Sequence, residues 1–539
     1  MEVAPPEKKI AADSKPVNDY DGEAASTADP DAADMAKLGV AQETKRRFGL
    51  VTILGFTTCI MGTWESALPY GLFLELLILM FYTNLRSFFL TAYYNGGPVT
   101  MVYGFIVAFF GSLATCASLA EMASMYPISG GQYYWASLLS PPGKVKFLSF
   151  LTGWLSVLGW QSASATGTYL GGTIIQGVVK LNYPEYTPER WQATLMLYAV
   201  LILSMSVNVS LVKWLPGVEG IILIIHVVGF FAILIPLVHL APISSAEFVF
   251  TEFINTSGYS SSALSWLIGQ SASAVLFIGY DGACHMAEEV QNARINVPRA
   301  MFFTMFINGA MGLAMYLVIL FCIGDIQKVI ETPTKVPFIE LFRNSTQSNT
   351  AATILTSVLI TTYIVANFNF MASASRQAWA FARDGGLPFS KFFRRIDRKR
   401  SIPLYAIALT GVLNALLGLI NLGSNIAFSA VVSLVVSGYM SSYVIVICVM
   451  IHKRLTTPKE IEFGPWSLGR YGLPINIIAV IYTFITVIFA FFPPIVPVNA
   501  ENMNYSPAVY GGVVIFGIVY YVIQGHKTFI GPKLPRNVL

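Results

Sequence analysis

Twelve apolar stretches, each long enough to cross a lipid bilayer, recur along this 539-residue chain. They run roughly over 50–70, 99–123, 148–178, 193–212, 217–240, 264–287, 300–323, 352–378, 403–422, 427–451, 473–494 and 508–525. A hydrocarbon core about 30 Å thick takes about 20 apolar residues per helix. Lipid offers no partner for a bare N–H or C=O, so each crossing segment must satisfy its backbone internally. The pattern therefore predicts an all-α polytopic membrane protein of about 12 transmembrane helices. Composition agrees: 12% of residues are charged and 55% hydrophobic, against about 25% charged in soluble domains.

The connecting loops alternate in charge. One set carries Arg46 and Arg47, Lys144 and Lys146, Lys213, Arg294 and Arg299, Lys453 and Arg454, and Lys527 and Lys533. It also carries the loop from Arg383 to Arg400, with seven basic residues against Asp384 and Asp397. The other set is neutral or acidic, as in 241–263 with Glu247 and Glu252. Basic loops stay in the cytoplasm, so both termini are expected there. The sequons at Asn255 and Asn344 fall in loops of the opposite set, whereas a third, at Asn208, lies at the end of a span.

Residues 1–45 are rich in Ala, Asp, Glu, Lys and Pro and show no apolar period, so a disordered cytoplasmic tail is expected. No positive segment followed by a short apolar core precedes the first span, which is expected to direct insertion itself. Residues 46–530 form the membrane domain, and 531–539 a second cytoplasmic tail. A thirteenth span within 68–94 would place the basic 383–400 loop on the wrong side, so that tract is expected to be an insertion lying at or re-entering the interface.

Two spans are interrupted. Between Phe277 and Glu289 the chain reads F-I-G-Y-D-G-A-C-H-M-A-E-E, with Gly279 and Gly282 bracketing Tyr280 and Asp281. Glycine weakens a helix interior, and an ionisable group in the bilayer is costly. Opened helices at membrane depth occur where they line a cavity. Five spans earlier, T-T-C-I-M-G-T-W-E-S (57–66) carries Thr57, Thr58, Gly62, Thr63, Trp64 and Glu65. Taken alone, these small residues read more readily as close helix packing than as a site. The recurrence at corresponding positions of two five-helix halves matches inverted-repeat secondary transporters, whose solute lies between the broken helices. Odd-numbered halves give the copies opposite orientations. Trp64, Phe277 and Tyr280 are suited to cover a solute or stack on an ammonium. Glu65 and Asp281 are suited to pair with its charge, or to serve as helix caps.

Other polar residues at depth are few. His226 in the fifth span is a candidate proton carrier or an interhelical bonding group. Glu219 is expected to be solvated or paired with Lys213. Asn367 and Asn369 in the eighth span are candidates for solute or ion contact, or for joining helices. The cysteines Cys59, Cys116, Cys284, Cys322 and Cys448 sit in apolar segments without metal-ligand spacing. No P-loop, paired-histidine metal motif or nucleophile elbow is present, so neither an enzyme, a built-in ATPase nor a cofactor is expected. Nucleic acid is not an expected partner.

Three long motifs carry a resemblance: A-E-M-A-S-M-Y-P-I-S-G-G-Q-Y-Y-W (120–135), Y-D-G-A-C-H-M-A-E-E-V-Q-N-A-R-I-N-V-P-R-A (280–300) and S-R-Q-A-W-A-F-A-R-D-G-G-L-P-F-S (375–390). They resemble the amino acid–polyamine–organocation (APC) superfamily. T-W-E in the first span and L-T-G-W-L-S-V-L-G-W-Q (151–161) resemble its fungal branch, which contains γ-aminobutyrate and choline permeases. The resemblance implies a LeuT-like 5+5 inverted repeat plus two helices. It also implies proton-coupled uptake of a small nitrogenous solute by alternating access, at the plasma membrane or an organelle such as the vacuole. Carried over by position, the site would use unwound backbone around Thr57–Thr63 and Gly279–Gly282, with Phe277 or Tyr280 as a gate. The 120–135 and 288–300 motifs would form cytoplasmic loops that rearrange during transport.

One tract departs from that pattern. Between Glu65 and the N-G-G-P turn at 95–98 lies an excess of roughly 18 residues, about 27 Å if helical. The atypical stretch, about 69–92, reads as a translated intron, with a genuine insertion as the alternative. The functional alternatives are a nutrient-sensing receptor with a transporter fold and an inactive product of a mis-spliced transcript.

Overall fold

The computed structural model describes residues 30–68, 88–324, 329, 332–423, 425–499 and 502–531. The expected insertion lies largely outside the described residues, as do residues 1–29 of the N-terminal tail and 532–539 of the C-terminal one.

The described residues are nearly all helical and form no strands. Ten helices among them are long and apolar enough to cross a membrane. Two further units complete the twelve expected spans. One is the interrupted first span, Leu50–Met61 followed by Thr63–Ala67. The other is the 38-residue third span, Val145–Asn182, whose many Gly, Ser and Thr residues make it less apolar. Helix Leu215–Leu240 shows how such a chain solves the bilayer problem. Ile221, Ile224, Val228, Phe231 and Ile235 are exposed on one side, while Glu219, His226 and Gly229 are buried on the other. The exposed apolar face suits lipid, and the polar groups turn inward, where other helices can satisfy them.

The first span enters from the end that bears the basic loops, and the sixth runs the opposite way. The sixth comprises Ser262–Ser273, the 3-10 turn Ala274–Phe277, and Gly282–His285. Both are enclosed by the third span, the eighth (Asn349–Arg383) and the tenth (Asn425–Thr456). The third and tenth spans approach closely at Gly159 and Gly438, where a β-carbon on Gly438 would stand 2.7 Å from the Gly159 nitrogen. Small residues permit such backbone proximity.

The basic end is sealed by buried ion pairs. Arg376 Nε bonds Glu289 at 2.9 Å, both side chains being 1% exposed, and Arg383 makes two 3.0 Å contacts with Glu288. Arg454 pairs with Glu121, which also accepts from the Leu468 backbone.

Part of the stretch expected to be disordered is structured: Pro30–Lys37 is a helix. Asp31 accepts from the Asn292 and Ala293 backbone nitrogens, capping the seventh span, Ala293–Cys322. Gln42 and Thr44 donate to Glu288 O, and Arg47 and Phe48 backbone nitrogens to Glu289 O. These carboxylates and amides find partners on the body of the fold, which composition alone does not reveal.

Glu219 corrects a second expectation. It is fully buried and accepts from Asn369 Nδ2 at 2.9 Å, while Lys213 lies over the Trp214 ring. Four residues into its helix, Glu219 has rotated to the face packed on the first and eighth spans.

Candidate functional site

The first-span break is narrower than the sequence implied. Leu50–Met61 is continuous, and Thr57 Oγ1 donates back to Ile53 O within it. Only Gly62 leaves the helix, at φ +41°, and the chain resumes at Thr63. Thr63 ties the two interruptions together by donating from Oγ1 to Leu276 O at 2.8 Å. Thr58 offers Oγ1 to Thr304 at 3.2 Å, and its carbonyl accepts from Asn308.

The sixth-span break is wider. After the 3-10 turn, Ile278 is extended, Gly279 takes φ +106°, and helix returns at Gly282. A β-carbon on Gly279 would stand 2.5 Å from Ile60 Cγ2, so the position needs glycine for both conformation and space.

Between the interruptions lies a cavity of about 60 Å³, lined by Ile60 and Gly62 of the first span and Val275 and Ile278 of the sixth. The third, eighth and tenth spans complete it with Ala163, Thr166, Gly167, Tyr363, Phe370 and Val435. Each enclosed water needs about 10–15 Å³ on this measure, so there is room for a few waters or a small solute. The wall is largely apolar, and Glu65 supplies a carboxylate.

Glu65 is buried and held by one oxygen. His226 Nδ1 lies 2.6 Å from Glu65 Oε1 and 3.2 Å from the Trp64 indole nitrogen. The shorter contact places one proton between ring and carboxylate. Glu65 Oε2 and His226 Nε2 have no hydrogen-bond partner among the described residues. A buried carboxylate oxygen left open beside a cavity is a costly arrangement that a cationic group would relieve.

Of the residues singled out from sequence, Gly62 and Glu65 line the cavity. Asn367 stands behind it, donating to the carbonyls of Gly167 and Tyr363. The aromatic residues turn elsewhere. Trp64 packs on His226 and Phe230, Phe277 on Phe105 and Phe109, and Tyr280 on Tyr443. Asp281 and Gly282 lie toward the basic end. Asp281 accepts from Gln132 Nε2 at 2.7 Å, and Gly282 O accepts from Ser373 at 3.4 Å. Thr166 and Phe370 escaped sequence reading. The run S-A-S-A-T-G-T at 162–168 offered the one usable signal, a stripe of small residues on a span without a break.

The comparisons fit this geometry. The family described as amino acid permease matches residues 48–515. A Macrophomina phaseolina protein whose name suggests an amino acid/polyamine transporter is 35% identical over 77% of this chain and 92% of its own length. The choline transporter of Saccharomyces cerevisiae is 28% identical over 97% of this chain and 87% of its own. Amino-acid permease 2 of Neurospora crassa is 28% identical over 95% and 92%, respectively. Interrupted first and sixth spans, a cavity between them, and a family match over most of the chain lead to one conclusion: this protein belongs to the amino acid permease family, within the APC superfamily.

Proposed function

We propose that the protein is a secondary active transporter that imports a small nitrogenous solute together with a proton by alternating access. The carrying observation is Glu65, which turns an unpartnered carboxylate oxygen to a small, mostly apolar cavity between two interrupted helices. An amino acid, γ-aminobutyrate or a choline-like cation offers the complementary charge at that scale. His226, first considered as a proton carrier, acts here as the brace that holds the Glu65 side chain in place. The named activities of the relatives support the substrate class. The loop charges support cytoplasmic termini in a plasma or organelle membrane, with the basic end inward.

The test is uptake by the purified full-length protein in liposomes. Labelled γ-aminobutyrate, neutral amino acids and choline are offered with and without an acid-outside pH gradient. Accumulation of one class, driven by the gradient, is the expected result. Saturable binding without accumulation would indicate a receptor, and no saturable handling of any of them would defeat the proposal.

A further inference from the structure

The cavity does not use Asp281, and the surroundings of that residue form a second buried polar cluster. Val435 borders the cavity, while Tyr439 and Tyr443 follow one and two turns farther along the tenth span toward the basic end. A four-residue step is about 6 Å. On the third span, likewise, Ala163 borders the cavity, and Trp160 lies nearer the basic end. The cluster therefore stands between the solute cavity and the ion-paired seal.

Its centre is Asp281 and His285, both fully buried. His285 Nδ1 lies 3.0 Å from Ser129 O, an oxygen that only accepts, so Nδ1 carries a hydrogen. His285 Nε2 is then left 3.6 Å from Asp281 Oδ2, and without another proton two acceptors face each other. Gln132 donates to the same Oδ2, and the Tyr443 phenol approaches the carboxylate from the tenth span. Trp160 packs edge-on against His285, with ring centroids 5.1 Å apart. The other titratable groups facing Asp281 are Cys116 of the second span, Tyr280 and Cys284 of its own segment, and Tyr439 and Tyr443 of the tenth. Thiols and phenols of these kinds are ordinarily uncharged at neutral pH. Farther out, Glu288 and Glu289 are neutralised by Arg383 and Arg376.

We infer that the Asp281–His285 pair is the binding site of the coupling proton, held between Oδ2 and Nε2 on the path from cavity to cytoplasm. This inference rests on the proton-coupled reading above. A proton from the external medium takes the pair from a net charge of −1 to neutral while Nδ1 keeps its hydrogen on Ser129. Opening of the basic end hydrates the pair and lets that proton leave to the cytoplasm. Glu65 recognises the solute, and Asp281–His285 binds the proton.

Full-length protein in liposomes is assayed with labelled γ-aminobutyrate or choline, whichever the unmodified protein takes up. Counterflow at equal pH reads solute exchange, and accumulation under an acid-outside gradient reads coupling. If the unmodified protein ignores the gradient, the proton-coupled reading itself falls. If it responds, His285→Gln should lower the ratio of driven accumulation to exchange about tenfold or more. Parallel loss of both, or retention of both, would overturn the assignment while leaving coupling intact. Gln132→Ala gives a second measure should that variant fail to fold. Removing that hydrogen-bond donor alters how the pair holds its proton, so the pH midpoint of driven uptake should shift. An unmoved midpoint also overturns the assignment.

Discussion

Glu65 and His226 meet at 2.6 Å, fifteen residues into one span and eleven into another, and this contact divides the carboxylate into two functions. Oε1 is committed to the imidazole, and Oε2 remains open beside the cavity. Glu65→Gln keeps the shape and removes the charge. Hydrogen bonds to charged groups contribute about 1.5–3 kcal/mol, so KM for a cationic solute should rise about 10- to 100-fold with a smaller change in kcat. His226→Gln should raise KM less. Concentration curves in liposomes check both, and an unchanged KM in Glu65→Gln would remove Glu65 from solute recognition.

The breaks themselves are testable at their glycines. Gly62 sits at φ +41°, where a β-carbon would lie 3.2 Å from Cys59 O. Gly279 combines φ +106° with a clash on Ile60. A residue forced into such backbone regions costs about 1–3 kcal/mol. Gly279→Ala should therefore lower the melting temperature and abolish transport, whereas Gly62→Ala should fold and transport slowly. Thermal melts of the purified variants, read beside uptake, separate these effects.

The spans and the pair of interruptions were legible because apolar length and glycine placement are local properties of the chain. The direction of each side chain was not. Trp64, Phe277 and Tyr280 have the chemistry of a solute cage, but the local backbone around the breaks sends them into aromatic packing outside the cavity wall. Phe370 does line it, and only the packing of the eighth span against the third puts it there. Glu219 misled for the same reason: distance along the chain placed it near Lys213, and helical phase placed it on Asn369. Asp31 was invisible because composition reports what a segment lacks, and its docking depends on a helix end more than 260 residues away.

The seal at the basic end should behave as a coupled pair. Arg376 and Glu289 are both essentially inaccessible, and Arg376 also bonds Asn208 at 3.2 Å. Removing one partner from a buried ion pair leaves an uncompensated charge and costs about 3–5 kcal/mol. Arg376→Met and Glu289→Gln should each sharply destabilise the purified protein. The double variant should be more stable than the sum of the single losses predicts, which a double-mutant cycle of thermal melts measures. Additive losses would show that the two side chains act separately.

The docked N-terminal segment should bias the transport cycle. Asp31 caps the seventh span, Asp34 reaches Arg294 at 3.2 Å, and Gln42 and Thr44 grip the Glu288 carbonyl beside the Arg383 ion pair. These contacts join the segment to the loop that must move if the basic end is to open, so they stabilise its closed form. A carboxylate at a helix N-terminus contributes about 0.3–1 kcal/mol. Asp31→Ala should therefore shift the closed-to-open equilibrium about two- to fivefold toward open. Replacing Ser129, buried beneath this loop, with Cys supplies a reporter whose labelling by a membrane-permeant maleimide should speed up by a similar factor in the Asp31→Ala background. Equal labelling rates in the two backgrounds would show that the segment rides on the loop without restraining it.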